Sequence, residues 1–407
     1  MKILLISSSP YQHAESPLLG VFQKDQLNAL VAEGHEVGLI SPAGRSLRYI
    51  KNILGKKPFS DSSASTKILK NQRFNIFPRL RYLERLFFVY KGRQLFEQYI
   101  KKYGLPDLIH AHNGIYAGIL AQDLSINAGI NSGSAAIRSG HAAIPYVITE
   151  HSSWILKSHY QGQVKLLLQQ AYQQANAVIA VSESLASKMK FDFCVSEVLV
   201  VPNIIPSEFQ HYSDSIATTL ESDTSSEKDT CYIHVASLDH NKNQQLLLES
   251  FREILALKPM AWLRIIGDGP NKALLVAMAH RLGITHRVEF LGALPRKEVA
   301  RYLLMSDVFL LSSLVETFGV VAIEANAMGL PVVSTPCGGI ADIIESGVNG
   351  VLCKDFTVES YVACIREADG LLLKVDKSQV RLATLTKFGP ATVARSLAGI
   401  YQSVMSE

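Results

Sequence analysis

A chain of 407 residues, 48% hydrophobic and 19% charged, has the make-up of an ordinary globular protein, which excludes disorder, collagen-like repeats and a disulfide scaffold. At roughly 100–200 residues per domain, the length calls for two domains. Forty Lys and Arg against 36 Asp and Glu leave a formal charge of +4, too small by itself to require a polyanionic partner.

Met1 and Lys2 precede only four apolar residues, 3–6, before Ser7, Ser8, Ser9 and Pro10. That run is far short of a signal-peptide core and reads as a buried first strand. Further short apolar runs at 37–40, 108–111, 146–149, 178–181 and 198–201 are separated by room for crossover helices, the pattern of a parallel sheet covered on both faces. Residues 1–205 are therefore expected to form an N-terminal Rossmann-like domain. Residues 206–230, rich in Ser, Thr, Asp and Glu without apolar periodicity, read as a polar linker or insertion. The pattern then restarts. Strands are expected at 233–236, 263–266, 288–291, 308–311, 332–334 and 351–352, alternating with helices near 243–257, 271–282, 296–305, 319–328 and 358–368. This second doubly wound domain is assigned to 231–387, with 388–407 a C-terminal helix returning to the first domain. Such an α/β pair is expected to face a cleft at the carboxyl ends of both sheets, where ligands bind in open α/β folds.

No apolar stretch approaches the ~20 residues that cross a bilayer, so the chain is expected to be cytoplasmic, with any membrane contact peripheral. Five cysteines, at 194, 231, 337, 353 and 364, form no C-x-x-C, and no His pairs stand at zinc spacing, which points to a reducing compartment and no structural metal site.

The strongest local signal is Glu316-Thr317-Phe318-Gly319-Val320-Val321-Ala322-Ile323-Glu324, after the strand at 308–311 and opening a helix. Glu316 falls in the loop and Glu324 one to two turns into the helix, with its side chain tilted back toward the same N-terminus. Between them the amides of Phe318 and Gly319 and the positive helix end suit a phosphate, and glycine permits close approach. An acidic first helical turn with no ligand is the plainer reading of the same residues. Gly267-Asp268-Gly269-Pro270-Asn271-Lys272 follows a strand but lacks the third glycine of a dinucleotide fingerprint, and no G-K-[ST] loop occurs. Dehydrogenase and NTPase readings are thus disfavoured, and this segment reads as a turn before a helix.

With Gly20-Val21-Phe22, His110-Ala111-His112, Thr149-Glu150-His151, Val181-Ser182-Glu183, Val201-Pro202-Asn203, Gly267-Asp268-Gly269-Pro270, the E-x7-E stretch and Gly338-Gly339 in this order, the sequence resembles retaining glycosyltransferases of family 4, glycosyl transferases group 1, with the GT-B fold. The resemblance implies that Glu316 sits by the donor sugar and Glu324 accepts from the ribose hydroxyls. It implies that the amides at Phe318 and Gly319, with Gly20, hold the diphosphate, and that His112 faces the donor sugar. Lys242 matches the lysine that neutralises the leaving diphosphate. Five residues earlier the family commonly has arginine, and this chain has Ser237. Loss of such a preorganised charge is worth about 10²–10³ in rate, so Asn241, Asn243 or Arg296 is expected to compensate or the enzyme to be slow. Residues 291–295, including Leu294, resemble the base-contacting loop and leave uracil and guanine both open. No D-x-D occurs, so the reaction is expected to need no metal and no cofactor beyond the nucleotide-sugar substrate. The implied activity is retaining transfer from a UDP- or GDP-sugar to a hydroxyl, in polysaccharide or glycolipid synthesis. A non-catalytic sugar-nucleotide binder is the alternative.

Glu150 and His151, at the end of their strand, are the acceptor-side candidates, and His151 reads equally as a cap for the following helix. Residues 45–102 hold fifteen Lys and Arg against Asp61, Glu84 and Glu97, a net +12 that leaves −8 for the remainder. Within 82–96 the apolar Leu83, Leu86, Phe87, Tyr90, Leu95 and Phe96 keep roughly helical spacing. Either this is a core helix with a solvated basic face, or it meets anionic lipid head groups or a lipid-linked acceptor. A nucleic-acid partner is disfavoured because no reader motif is present.

Overall fold

A computed structural model describes residues 1–9, 21–43, 67–70, 81–131, 143–210, 229–372 and 376–406. Gly20 and most of the basic stretch before residue 81 lie outside the described residues. The chain forms two compact units, Met1–Pro202 with Pro390–Glu407, and Asn203–Gly389.

The first unit is built on a seven-stranded sheet of β1 (Lys2–Ser7), β2 (Glu36–Ser41), β3 (Lys67–Lys70), β4 (Leu108–His112), β5 (Tyr146–Glu150), β6 (Ala177–Ala180) and β7 (Leu199–Val200). All pairings are parallel, in the order β3-β2-β1-β4-β5-β6-β7. Every residue of β4 and β5 is buried, as a sheet with helices on both faces requires. The strand order reverses direction between β1 and β4, and the ends of both are stitched there by Ser8 Oγ donating to the His112 carbonyl at 2.6 Å. β3 was absent from the sequence expectation. Its Ile68 and Leu69 are flanked by lysines, which is too little apolar signal for a period and suits an edge strand.

The helix Pro390–Ser406 buries Val393, Ala394, Leu397, Tyr401 and Val404 on one stripe and packs on the helix Val21–Ala32 of this unit. The helix Arg81–Tyr103 divides the apolar residues of 82–96 between two environments. Phe88, Leu95, Phe96 and Tyr99 enter the core, whereas Leu83, Leu86 and Tyr90 are exposed and Arg85 is buried.

The second unit carries β8 (Cys231–Val235), β9 (Trp262–Ile266), β10 (Val288–Gly292), β11 (Val308–Leu311), β12 (Val332–Ser334) and β13 (Gly350–Leu352). Its parallel order is β10-β9-β8-β11-β12-β13, so direction reverses between β8 and β11. Leu247, Phe251, Leu263, Leu310 and Ile365 pack in its fully buried core. This unit begins earlier than residue 231. The short helix Ser207–Gln210 buries Phe209, and the Ile205 amide donates to the Phe388 carbonyl at 3.0 Å, so 203–205, expected in the first domain, and 206–210, expected in a linker, both belong to it. Residues 211–228 lie outside the described residues. Cys231, Cys337, Cys353 and Cys364 are buried free thiols and Cys194 an exposed one.

Candidate functional site

On the second unit, the loops leaving β8 and β11 meet at the switch point. After β8, Asp239 caps a single turn at His240–Lys242 by accepting from the amides of Asn241 (2.9 Å) and Lys242 (3.3 Å). Ser237 Oγ donates to the other Asp239 oxygen at 2.6 Å. The Asn241 side-chain amide donates to the Val315 carbonyl at 2.9 Å, and Ser312 Oγ to the Lys242 carbonyl at 2.8 Å, tying this turn to the end of β11. These bonds fix Lys242 so that its Nζ lies 2.6 Å from Glu316 Oε1. The same oxygen accepts from Ser313 Oγ at 2.7 Å. Glu316 itself is held by backbone bridging to Gly338: its amide donates to the Cys337 carbonyl at 2.6 Å and its carbonyl accepts from Gly339 at 3.0 Å. Glu316 Oε2 makes no hydrogen bond among the described residues, and Lys242, with three donor protons, makes one.

Two residues on, the Phe318 ring is buried edge-on to Phe388 at 5.7 Å, which anchors the loop and leaves the backbone as its functional part. Gly319 adopts φ +100°, and a Cβ there would lie 2.8 Å from Ile340, so only glycine carries the chain into the helix Val320–Ala327 without strain. No side chain among the described residues caps that helix; the Ala322 amide donates to the Gly319 carbonyl at 2.8 Å, which leaves the amides ahead of it at the open helix end. Glu324 projects from it and is 7% exposed.

Gly267 and Gly269 have a different role from a phosphate cradle. A Cβ on Gly267 would sit 1.7 Å from the Ala236 carbonyl oxygen, and one on Gly269 2.4 Å from that of Leu238. The two glycines let this loop lie against the backbone that leads to Lys242, and Leu238 and Asp268 bond across it at 3.0 Å. Gly267 also donates to the Gly292 carbonyl at 2.8 Å, joining the loop to 291–295, where Leu294 is half-buried. Below, His234 bonds the Leu310 carbonyl at 2.8 Å, linking β8 to β11, and burial lowers its pKa to about 4.

The three residues weighed against Ser237, two neutral amides and one cation, are each engaged elsewhere in the second unit. Asn241 is engaged with Val315, Asn243 is the left-handed residue that starts the helix Gln244–Leu257, and Arg296 lies 3.9 Å from Glu208.

Two family models match the chain, "Glycosyltransferase Family 4" over residues 20–209 and "Glycosyl transferases group 1" over 216–371, which together take in most of it. The chain belongs to this glycosyltransferase family. Among its relatives, N-acetyl-alpha-D-glucosaminyl L-malate synthase of Bacillus anthracis is 31% identical over 218 residues, 52% of this chain and 55% of that protein, so the match spans about half of that relative. TuaC of Bacillus subtilis, whose name assigns it provisionally to teichuronic acid biosynthesis, is 28% identical over 361 residues, 84% of this chain and 83% of that protein. Sucrose-phosphate synthase from Thermosynechococcus elongatus shares the fold with TM-score 0.74 at 18% identity, covering 100% of this chain and 99% of that one. HepE of Anabaena, solved with UDP-glucose, shares it with TM-score 0.66 at 19% identity, covering 99% and 100%. The fold is GT-B.

On the first unit of this glycosyltransferase, β4 and β5 bring three histidines together. His110 is bonded by Nδ1 to Tyr401 Oη at 2.6 Å and by Nε2 to Thr149 Oγ1 at 2.7 Å, and its ring stacks on His112 at 4.7 Å. His112 Nδ1 lies 3.1 Å from His151 Nε2, so one ring nitrogen donates and the other accepts. Burial lowers the pKa of His110 to about 3 and that of His112 well below the usual value, so both rings are neutral at pH 7. His112 Nε2 is buried with no hydrogen-bond partner among the described residues.

Glu150 requires a correction. It is 1% exposed and turned into the unit rather than toward an acceptor. One carboxylate oxygen accepts from Tyr172 Oη at 2.6 Å and the Gly114 amide at 2.8 Å, the other from the amides of Ser152 (2.8 Å) and His151 (3.0 Å). Burial raises its pKa, and these bonds oppose the shift. Glu150 thus holds the π-turn Gly114–Gly118, which follows His112, to the segment that carries His151. Helix capping there falls to Ser152, whose hydroxyl accepts from Trp154, rather than to His151. Sequence reasoning missed Ser313, Tyr172, Thr149 and Tyr401; of these only Thr149, beside Glu150-His151 in a quoted motif, gave any local signal.

Proposed function

We propose that this glycosyltransferase moves a sugar from a nucleoside-diphosphate donor to a hydroxyl with retention at the anomeric carbon. The observation that carries the reading is the Lys242–Glu316 pair, 2.6 Å apart at the switch point, with Glu316 four residues before the helix that starts at Val320 without a side-chain cap. An ammonium and first-turn amides suit a leaving diphosphate, while Glu316 Oε2 and Glu324 are acceptors suited to hydroxyls of the sugar and ribose. Lys242 shares its charge with Glu316 in the ligand-free chain, so a diphosphate competes for a cation already in position. In this reading attack comes on the leaving-group side, the departing phosphate takes the acceptor's proton, His112 Nε2 meets a donor-sugar hydroxyl, and no metal is required. The Phe318 and Gly319 amides, with Gly20, bind the diphosphate, and the 291–295 loop with Leu294 borders the base.

UDP-glucose, the ligand of HepE, is the first donor to try. A thermal-shift panel of UDP- and GDP-sugars tests the reading, since a ligand at 100 times its Kd stabilises by about 2.7 kcal/mol. One nucleotide series is expected to raise the melting temperature; no shift from either would refute donor binding. Ser237, in place of the family's arginine, favours a second reading, a non-catalytic sugar-nucleotide binder. That reading predicts a shift without turnover.

We further place the protein at the cytoplasmic face of a membrane, in polysaccharide or glycolipid synthesis. The helix Arg81–Tyr103 supports this by exposing Leu83, Leu86 and Tyr90 with the Lys91 ammonium 5.1 Å from the Tyr90 ring. No described helix is long and apolar enough to cross a membrane.

A further inference from the structure

The segment that follows β5 presents an aromatic surface that the histidine cluster does not use. Ser152 caps the short helix Ser153–Leu156, and Ile155, 1% exposed, anchors it in the unit. Ser158 then takes a left-handed conformation, φ +51°, which folds the chain back so that the His159 amide donates to the Trp154 carbonyl at 3.0 Å. The reversal gathers three rings. Trp154 meets His159 edge-on at 5.6 Å and Tyr160 at 6.2 Å with the planes 35° apart, and Trp154 keeps 39% of its surface in solvent.

Single exposed apolar residues need no explanation, but three clustered rings within ten residues of His151, which pairs with the buried His112, do. Trp154 stands three residues beyond His151, at the carboxyl end of β5, where ligands bind in this class of sheet. An indole face is electron-rich and apolar, with a rigid area gained at little conformational cost. A pyranose presents the complement: a face of polarised C–H bonds with hydroxyls around its rim. The same segment holds Ser152, Ser153, Ser158 and His159, and the Ser152 hydroxyl accepts from the Trp154 amide at 3.2 Å. A small dianionic acceptor would need converging cations, and Lys157 is the one formal cation in residues 151–160.

We infer that Trp154, with His159 and Tyr160, forms the acceptor subsite, and that the acceptor is a saccharide whose sugar ring stacks on Trp154. This rests on the transferase reading above and adds the chemical class of the acceptor.

The chain has two tryptophans, Trp154 and Trp262, so a Trp262→Phe background makes Trp154 the sole indole. Its emission is to be titrated with methyl glucoside, methyl galactoside, maltose and chitobiose, and separately with glycerol and L-malate. At least one saccharide is expected to change the emission saturably while glycerol and malate do not; a flat response to every saccharide, or a response to malate, overturns the inference. In transfer assays with the donor found by thermal shift, Trp154→Ala and Trp154→Leu are expected to lower acceptor kcat/KM by about tenfold with donor KM unchanged. Trp154→Tyr, which restores a ring, is expected to stay within about threefold, by the same stacking energetics. Unchanged transfer by Trp154→Ala, or Tyr acting no better than Leu, also overturns it. Failure of the wild-type protein to bind any sugar nucleotide would instead refute the transferase reading, and the emission titration does not depend on that result.

Discussion

Whether a carboxylate faces a ligand or braces the protein is decided by which donors surround it. Glu150 ends β5 and Glu316 lies in the loop after β11, yet among the described residues Glu316 keeps one oxygen without a hydrogen-bond partner while both oxygens of Glu150 are engaged. Glu150→Gln retains shape but sets an NH₂ against one pair of donors. An unmet buried polar group costs about 1–3 kcal/mol, so urea denaturation is expected to show a loss of that size. Stability within ~0.5 kcal/mol of wild type would mean the Glu150 network is not holding the π-turn. The sequence could not show this orientation, because Tyr172 and Gly114 lie 22 and 36 residues from Glu150 and meet it only after the sheet forms. Lys242 and Glu316 were legible as a pair of motifs, but Ser313, the second donor to Glu316, carried no pattern of its own.

Among the elements, the six strands of the second unit and the helices from Gln244 to Leu371 were legible to within a few residues, each a buried run or a helical period between glycine or polar breaks, whereas the helices Ser207–Gln210 and Lys377–Phe388 were not expected. The sequence left the buried face of the helix Arg81–Tyr103 open. Apolar residues occur on both sides of it, so spacing alone does not say that Phe88, Leu95 and Tyr99 face the core and Leu83, Leu86 and Tyr90 the solvent. That exposed stripe, in a segment of net +12, yields a prediction for the element as a whole. The protein is expected to pellet with vesicles containing phosphatidylglycerol and not with phosphatidylcholine alone, with binding falling as salt rises, because each basic residue near such a surface contributes about 1 kcal/mol. Leu86→Ser should weaken the association. Equal pelleting with both lipids would remove the membrane assignment.

For the whole molecule, the two-unit α/β architecture was legible because two runs of buried parallel strands flank one polar stretch. The finer boundary was not: residues 203–210 join the second unit through Phe209 and the Ile205–Phe388 bond, contacts with partners up to 183 residues away. The Tyr401–His110 bond is equally non-local, spanning 291 residues, and ties the C-terminal helix to the histidine cluster. The proposed donor site lies on the other unit, where Asp239, Ser312 and the Gly267 loop hold the Lys242 ammonium against Glu316. The decisive measurement is therefore the turnover of the identified sugar nucleotide by Lys242→Ala. Loss of a preorganised charge of this kind predicts a fall in kcat of about 10²–10³ with the fold intact. Turnover within about threefold of wild type, well under the loss a preorganised charge implies, would contradict the assignment of Lys242 to the leaving diphosphate.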